Sequence, residues 1–196
     1  VGKLVNLDLA LKETPLLGDI GIGHTRWATH GGVSTENAHP HVASGRVAIV
    51  HNGIIENHRT VRARLESAGH QFSSDTDSEV LAHLFVEAFD AGLDPATATR
   101  QVLDEIDGAY AFAVMAIDHP DLLIVARNAS PLALGIGNDA CYIGSDAIAL
   151  SHLTRKVVYL KDHDYALVCA DGVSVYQADG TPVNREAVIV AASPGL

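Results

Sequence analysis

The residues best suited to chemistry lie in short polar runs within the first eighty positions. Arg26 offers a planar guanidinium fork that fits a carboxylate in two-point contact. Thr29 and His30 place further donors beside it. Asn52-Gly53 combines an amide side chain with an adjacent exposed backbone N–H, a donor set that holds an oxyanion in acyl transfer. Asp77, at an expected helix start, can pair with an ammonium group. Together these groups would recognise an α-amino acid and stabilise a tetrahedral intermediate. A nucleophile is missing from the set. Each piece alone has a plainer use: a surface ion pair for Arg26, a turn for Asn52-Gly53, a helix cap for Asp77. Only the combination points to a site.

There are eleven histidines, and His24, His30, His39, His41 and His51 crowd the same runs, which raises the question of zinc. Metal sites favour helical i,i+4 pairs or Cys-x-x-Cys knuckles, and neither pattern occurs here. Hydrogen-bonded histidines supporting a polar site are the expected use. No metal or cofactor is called for.

The elements that must carry these runs are read from periodicity and punctuation. Asp19 to Gly23 reads as a short strand, and Arg46 to Val50 as another, closed by a turn at Asn52-Gly53. Ile54 to Ala68 reads as a helix with Val61, Leu65 and Ala68 on one face and Gly69 as its stop. Thr76 or Asp77 caps a second helix with Val80, Leu81, Leu84 and Ala88 as its apolar stripe. Asp94-Pro95 opens a third, running to about Ile106. From Gly108 onward seven short apolar segments follow: Ala109 to Ile117, Leu122 to Arg127, Leu132 to Gly137, Cys141 to Ser145, Val157 to Leu160, Tyr165 to Ala170 and Val173 to Gln177. Helices in one block and strands in another argue α+β with packed sheets, and against alternating strand–helix folds.

Composition narrows the class. The 196 residues suffice for one sizeable domain or two small ones, and with 47% hydrophobic and 19% charged a buried core is available. The net charge of −11 repels phosphate backbones, so nucleic acid is a poor partner. No apolar run approaches the length needed to cross a bilayer, so no membrane association is expected and the default compartment is the cytoplasm. Cys141 and Cys169 sit in apolar, strand-like surroundings and read as core residues rather than a disulfide framework.

Four runs, in order and spacing, carry a resemblance. They are Gly-x-x-His-Thr-Arg-Trp-Ala-Thr-His-Gly from Gly21 to Gly31, Asn37-Ala38-His39-Pro40-His41, His51-Asn52-Gly53-Ile54-Ile55-Glu56-Asn57, and Ser74-Asp75-Thr76-Asp77-Ser78-Glu79. The sequence resembles the glutaminase domain of the glutamine–fructose-6-phosphate aminotransferase (glucosamine-6-phosphate synthase) family, from about Gly2 to its end. Amidophosphoribosyltransferase and asparagine synthetase share the Asn-Gly and Asp elements but are not expected to carry the first and third runs in this form.

The resemblance implies a class II glutamine amidotransferase of the N-terminal-nucleophile hydrolase type, a four-layer αββα sandwich spanning residues 1–196. In that family a cysteine at the mature N-terminus attacks the glutamine side-chain amide, with its own α-amino group as base. By matching position, Arg26 would bind the α-carboxylate with Thr29 and His30 beside it. Asp77 would bind the α-ammonium, helped by the Gly53 carbonyl. The Asn52 side chain and the Gly53 N–H would form the oxyanion hole, Trp27 would sit where ammonia leaves, and His39 and His51 would support. The implied partners are L-glutamine or L-glutamate, a sugar-phosphate isomerase domain of the same full-length chain, and further copies in a homo-oligomer.

The family's opening Cys-Gly-Ile-Val-Gly and its later Arg-Gly-Tyr-Asp-Ser-Ala-Gly do not occur in this sequence, which begins at Val1-Gly2-Lys3. The expectation is therefore a domain lacking its first strands and its nucleophile, unable to hydrolyse glutamine. The alternatives are a non-catalytic amino-acid-binding module, or the glutaminase domain of another amidotransferase such as amidophosphoribosyltransferase.

Overall fold

The computed structural model describes residues 4–26 and 32–191. Its centre is a seven-stranded antiparallel sheet built from β1 (His41–Ala43), β2 (Val47–Ile55), β3 (Gly108–Ala116), β4 (His119–Asn128), β8 (Tyr165–Cys169), β9 (Gly172–Tyr176) and β10 (Pro182–Val183), in the order β1-β2-β3-β4-β8-β9-β10. A second sheet has the order β11-β7-β5-β6, from β5 (Ala133–Ile136), β6 (Cys141–Gly144), β7 (Lys156–Tyr159) and β11 (Ala187–Ile189).

Strand alternation sorts the core into layers. On β2, Val47, Ile49, His51 and Ile55 are buried, and the three apolar ones join Tyr110, Phe112 and Val114 of β3 under three helices. These helices are α2 (His58–Ser67), α3 (Glu79–Asp90) and α4 (Pro95–Glu105). The opposite face, with Ala111, Ala113, Val125 and Ala166, packs on Leu134 and Val158 of the second sheet. Beyond that sheet, Ala133 and Val157 meet Ala147 and Leu150 of α5 (Ala147–Leu150). The expected αββα layering is thus present, with the outer layer on the small sheet formed by the single turn of α5 among the described residues. No helix of the described residues is long and apolar enough to cross a membrane.

Most expected elements form, and the departures are informative. Asn52-Gly53 is not a turn. Strand β2 runs straight through it, pairing Asn52 with Ala111 and Gly53 with Tyr110. The glycine answers a close approach: at φ 129° a Cβ on Gly53 would lie 2.0 Å from the carbonyl oxygen of Ala109. Because β2 continues to Ile55, the following helix begins at His58 rather than Ile54. The expected strand at Asp19 to Gly23 is irregular chain.

Neither Thr76 nor Asp77 caps α3. Ser78 occupies the cap position, and its hydroxyl bonds His51 instead. Helix α3 is buried nearly all round, not along one stripe, because α2, α4, β1 and β2 all pack on it. Helix α4 forms as expected, with the Asp94 carboxylate accepting from the N–H groups of Ala96 and Thr97 at 3.0 and 3.2 Å. Cys141 is half-buried against the inter-sheet core, but Cys169, read from the sequence as a core residue, is exposed at the end of β8. Helix α1 (Leu4–Glu13) was not anticipated and buries none of its residues.

Candidate functional site

The site gathers near the end of β2, beside the buried Ile55. Asn52 and Gly53 stand on the strand itself. Asp77, only 2% exposed, reaches across from the segment before α3, and its Oδ2 accepts the N–H of Ile55 at 2.8 Å. That bond sets the carboxylate two residues past the Asn52-Gly53 pair.

The segment holding Asp77 is fixed from below. Glu79, 1% exposed, accepts from the N–H and hydroxyl of Ser73 at 2.8 and 2.9 Å, and from those of Ser74 at 2.7 and 2.6 Å. Burial pushes the Glu79 carboxyl up, but the His83 ring 3.7 Å away and these four hydrogen bonds outweigh it and hold the group well below the usual carboxylate range. From Ser74 the network continues through Thr76 (3.0 Å) to Nε2 of His41 (3.0 Å).

Arg26 arrives on the irregular chain before β1, in the left-handed region at φ 51°. Its N–H donates to Nδ1 of His24 at 2.8 Å, and the other ring nitrogen of His24 lies 2.7 Å from Oδ1 of Asn52. The guanidinium donates to the carbonyl of Gly32 at 3.0 Å. Asn37 ties this chain to the Asp77 segment: its Nδ2 donates to the same Gly32 carbonyl, and its Oδ1 accepts the N–H of Asp75 at 2.8 Å. The His24 and His39 rings lie 4.3 Å apart, and those of His39 and His41 4.6 Å.

Burial, reinforced by the neighbouring His24 and His41, pushes the His39 imidazole down to about 3. Burial likewise takes His51 down to about 4, against the field of Asp77. Both rings are therefore neutral at ordinary pH, as supports for a polar site should be. Among the described residues, no group of three or more His, Cys, Asp or Glu side chains is placed to hold a metal ion.

Of the seven site residues named from the sequence, the structure brings Arg26, Asn52, Gly53 and Asp77 into one hydrogen-bonded neighbourhood. Trp27, Thr29 and His30 lie outside the described residues. Sequence reasoning gave no specific role to His24, Asn37 or Glu79. All three sit inside the four polar runs, so the signal was present, but a supporting role leaves no mark in spacing.

A family model described as a glutamine amidotransferase domain matches residues 24–152, a span containing every one of these groups. The chain belongs to the glutamine amidotransferase domain family. Its curated relatives include the glutamine–fructose-6-phosphate aminotransferases [isomerizing] of Zymomonas mobilis, 50% identical over 98% of this chain, and of Mesorhizobium japonicum, 51% identical over 94%. The chain spans 32% and 30% of those proteins, about a third of their length. Among solved structures, the glutamine phosphoribosylpyrophosphate amidotransferase of B. subtilis complexed with ADP and GMP matches 79% of this chain and 34% of its own, at 25% identity and a TM-score of 0.65. A structure described as the allosteric regulatory enzyme of purine biosynthesis matches the same shares at 27% identity and a TM-score of 0.66. The fold of this amidotransferase domain is therefore the class II type, shared across enzymes that use different acceptors.

Proposed function

We propose that this chain is the glutamine-binding part of a glutaminase domain whose parent enzyme passes ammonia to fructose-6-phosphate, giving glucosamine-6-phosphate. The observation that carries the reading is that His24 bridges the Asn52 side chain and the Arg26 backbone N–H at 2.7 and 2.8 Å, while the buried Asp77 carboxylate is held at 2.8 Å on Ile55, two residues past Gly53. In this reading Arg26 takes the α-carboxylate, with Thr29 and His30 adding donors. Asp77 and the Gly53 carbonyl take the α-ammonium. The Asn52 amide and the Gly53 N–H face the side-chain carbonyl, where negative charge develops when the amide is attacked. The family resemblance would put Trp27, which lies outside the described residues, where ammonia leaves. The choice of sugar acceptor is supported by identity near 50% to the aminotransferases, against 25% to the phosphoribosylpyrophosphate amidotransferase structure.

The attacking thiol comes from neither cysteine of the 196 residues. Cys141 belongs to β6 of the second sheet and Cys169 to the end of β8, and neither element carries the site. The chain by itself is accordingly a binder and not a hydrolase. The rest of the relatives' length would supply the sugar-phosphate isomerase domain that receives the ammonia. We read the parent enzyme as cytoplasmic and homo-oligomeric on the same resemblance.

Calorimetry with L-glutamine and L-glutamate tests the reading. Weak, saturable binding that Asp77→Asn abolishes supports it. Absence of binding to both amino acids by the folded chain refutes it. Ammonia release above a heat-treated control, lost in Asn52→Ala, would refute the assignment as a binder only.

A further inference from the structure

We propose that His24 is a positioning residue: as a neutral ring protonated on Nε2, it holds Oδ1 of the Asn52 amide, so that the NH2 end is the one left to donate to the ligand. The inference rests on the reading of Asn52 as oxyanion donor and adds the device that aims it.

The argument is one of hydrogen-bond accounting. A backbone N–H only donates, so the 2.8 Å contact from the N–H of Arg26 requires a lone pair on Nδ1 of His24. A neutral imidazole with its lone pair on Nδ1 carries its proton on Nε2. That Nε2–H points at the Asn52 side chain at 2.7 Å, and the atom receiving it must be an acceptor, Oδ1. The amide orientation is thereby settled by chemistry, and Nδ2 with its two protons faces away from the ring. A proton on Nδ1 instead would oppose the N–H of Arg26 and turn the acceptor face of Nε2 toward Oδ1, breaking both bonds together.

The clamp matters because Asn52 is exposed and its terminal torsion is intrinsically broad. Left alone, the amide would present oxygen and nitrogen to the ligand carbonyl in turn. An oxyanion donor works by being oriented before charge develops. The same ring also holds Arg26, at φ 51°, through its N–H. One imidazole thus couples the residue that reads the α-carboxylate to the residue that meets the side-chain carbonyl. The ring is buttressed in turn. His39 lies 4.3 Å from it at an interplanar angle of 35°, and His41 backs His39 and is tied to Thr76.

Two substitutions separate the ring's two bonds. In His24→Gln the side-chain N–H reaches the place of Nε2 and can still donate to Asn52. In His24→Asn the side-chain oxygen reaches the place of Nδ1 and can still accept from Arg26, but nothing reaches Asn52. The probes are the ring-nitrogen and Asn52 side-chain amide resonances of the ¹⁵N-labelled full chain, together with L-glutamine titration. The wild type should show an Nε2–H tautomer. The Asn52 amide should keep its position in His24→Gln and move to that of a freely turning amide in His24→Asn. Affinity for L-glutamine should fall about tenfold in His24→Asn and by less than about threefold in His24→Gln, since one lost neutral hydrogen bond is worth roughly a factor of ten.

An Nδ1–H tautomer in the wild type overturns the proposal, as does an Asn52 resonance indifferent to His24→Asn. Equal loss of affinity in both variants also overturns it, because that would reduce His24 to packing. If the tautomer and the Asn52 shifts are as expected while L-glutamine leaves the Asn52 resonance unmoved in the wild type, the clamp stands and the glutamine reading of the site falls.

Discussion

The two ends of the proposed amino-acid site are built differently. The end that carries Asp77 is buried and cross-braced: Ser74, Thr76, Asp77, Ser78 and Glu79 are each no more than 4% exposed, and every one is hydrogen-bonded to a neighbouring element or segment. The end that carries Arg26 stands on irregular chain, with Val33 82% exposed just beyond it. It is held by the His24 ring, the Gly32 carbonyl and Asn37. The contrast separates two tasks. In the proposed reading, an ammonium meets a preformed buried carboxylate, whose desolvation was compensated when the domain folded. In the same reading, a carboxylate meets a guanidinium on a segment with few buried contacts, the kind of segment that changes order on binding.

If that division is right, damage to the braced end should appear as lost stability and damage to the Arg26 end as lost binding. The harshest test is Gly53→Ala. The new methyl would lie 2.0 Å from the Ala109 carbonyl oxygen at a φ of 129°, so strand β2 must separate from β3. We expect a loss of roughly 4 kcal/mol, adding backbone strain to overpacking, read from urea unfolding. A loss below about 1 kcal/mol would mean that the two strands are not in this register.

Glu79→Gln comes next. Four donors converge on the two carboxylate oxygens, and a glutamine offers one oxygen and turns an NH2 against the others. The expected cost is about 3 kcal/mol of stability, with glutamine affinity falling as Asp77 loses its support. Unchanged stability would place the brace elsewhere.

Acid should loosen both ends together. His39 and His51 have folded-state values pushed down to about 3 and about 4 by burial, against about 6.5 when unfolded. Their contribution is fully present above pH 6.5 and is lost as pH falls toward the folded values, because the unfolded chain takes up protons first. Between pH 7.5 and 5.5 each ring should remove about 1.4 kcal/mol, and His39→Gln should abolish its share of that slope. Flat stability across this interval would show that one or both rings are solvated.

Arg26→Ala should do the reverse of Glu79→Gln. Glutamine binding should weaken by about 2 kcal/mol through loss of a charge-assisted contact, with stability changing by under about 0.5 kcal/mol. Equal affinity for both proteins, measured by calorimetry, would remove Arg26 from the site.

How much of this was legible beforehand divides along the same line. The run from Gly108 onward was readable because short apolar segments broken by Gly, Asp and Pro are what antiparallel strands look like, and all seven segments became strands. Asn52-Gly53 was misread as a turn because local preference was the only information. The reason for the glycine is the Ala109 carbonyl on another strand, which no window around residue 53 contains. Asp77 reads from the sequence both as a site residue and as a cap, and the cap position falls to Ser78. Helix α1 was overlooked although Leu4, Leu7 and Leu11 recur at helical spacing. Glu79 and His24 passed without roles because their work is done on other residues of the site.

The gentlest prediction calibrates the rest. Asp94 caps α4 far from the site in the hydrogen-bond network, accepting from Ala96 and Thr97 backbone and from the Thr97 hydroxyl at 2.6 Å. Pro95 already presets the first helical position, so only the cap is removed in Asp94→Ala. The helix packs on α3, whose first residue is Glu79, so the substitution weakens the helical layer without touching the site. We expect about 1 kcal/mol of lost stability and no change in glutamine affinity. This makes the comparison with Glu79→Gln decisive. If a capping defect on α4 lowers affinity in proportion to stability, binding merely reports on the fold as a whole. If affinity holds in Asp94→Ala and falls in Glu79→Gln beyond what its stability loss would carry, the Ser73–Glu79 segment is the brace that aims Asp77.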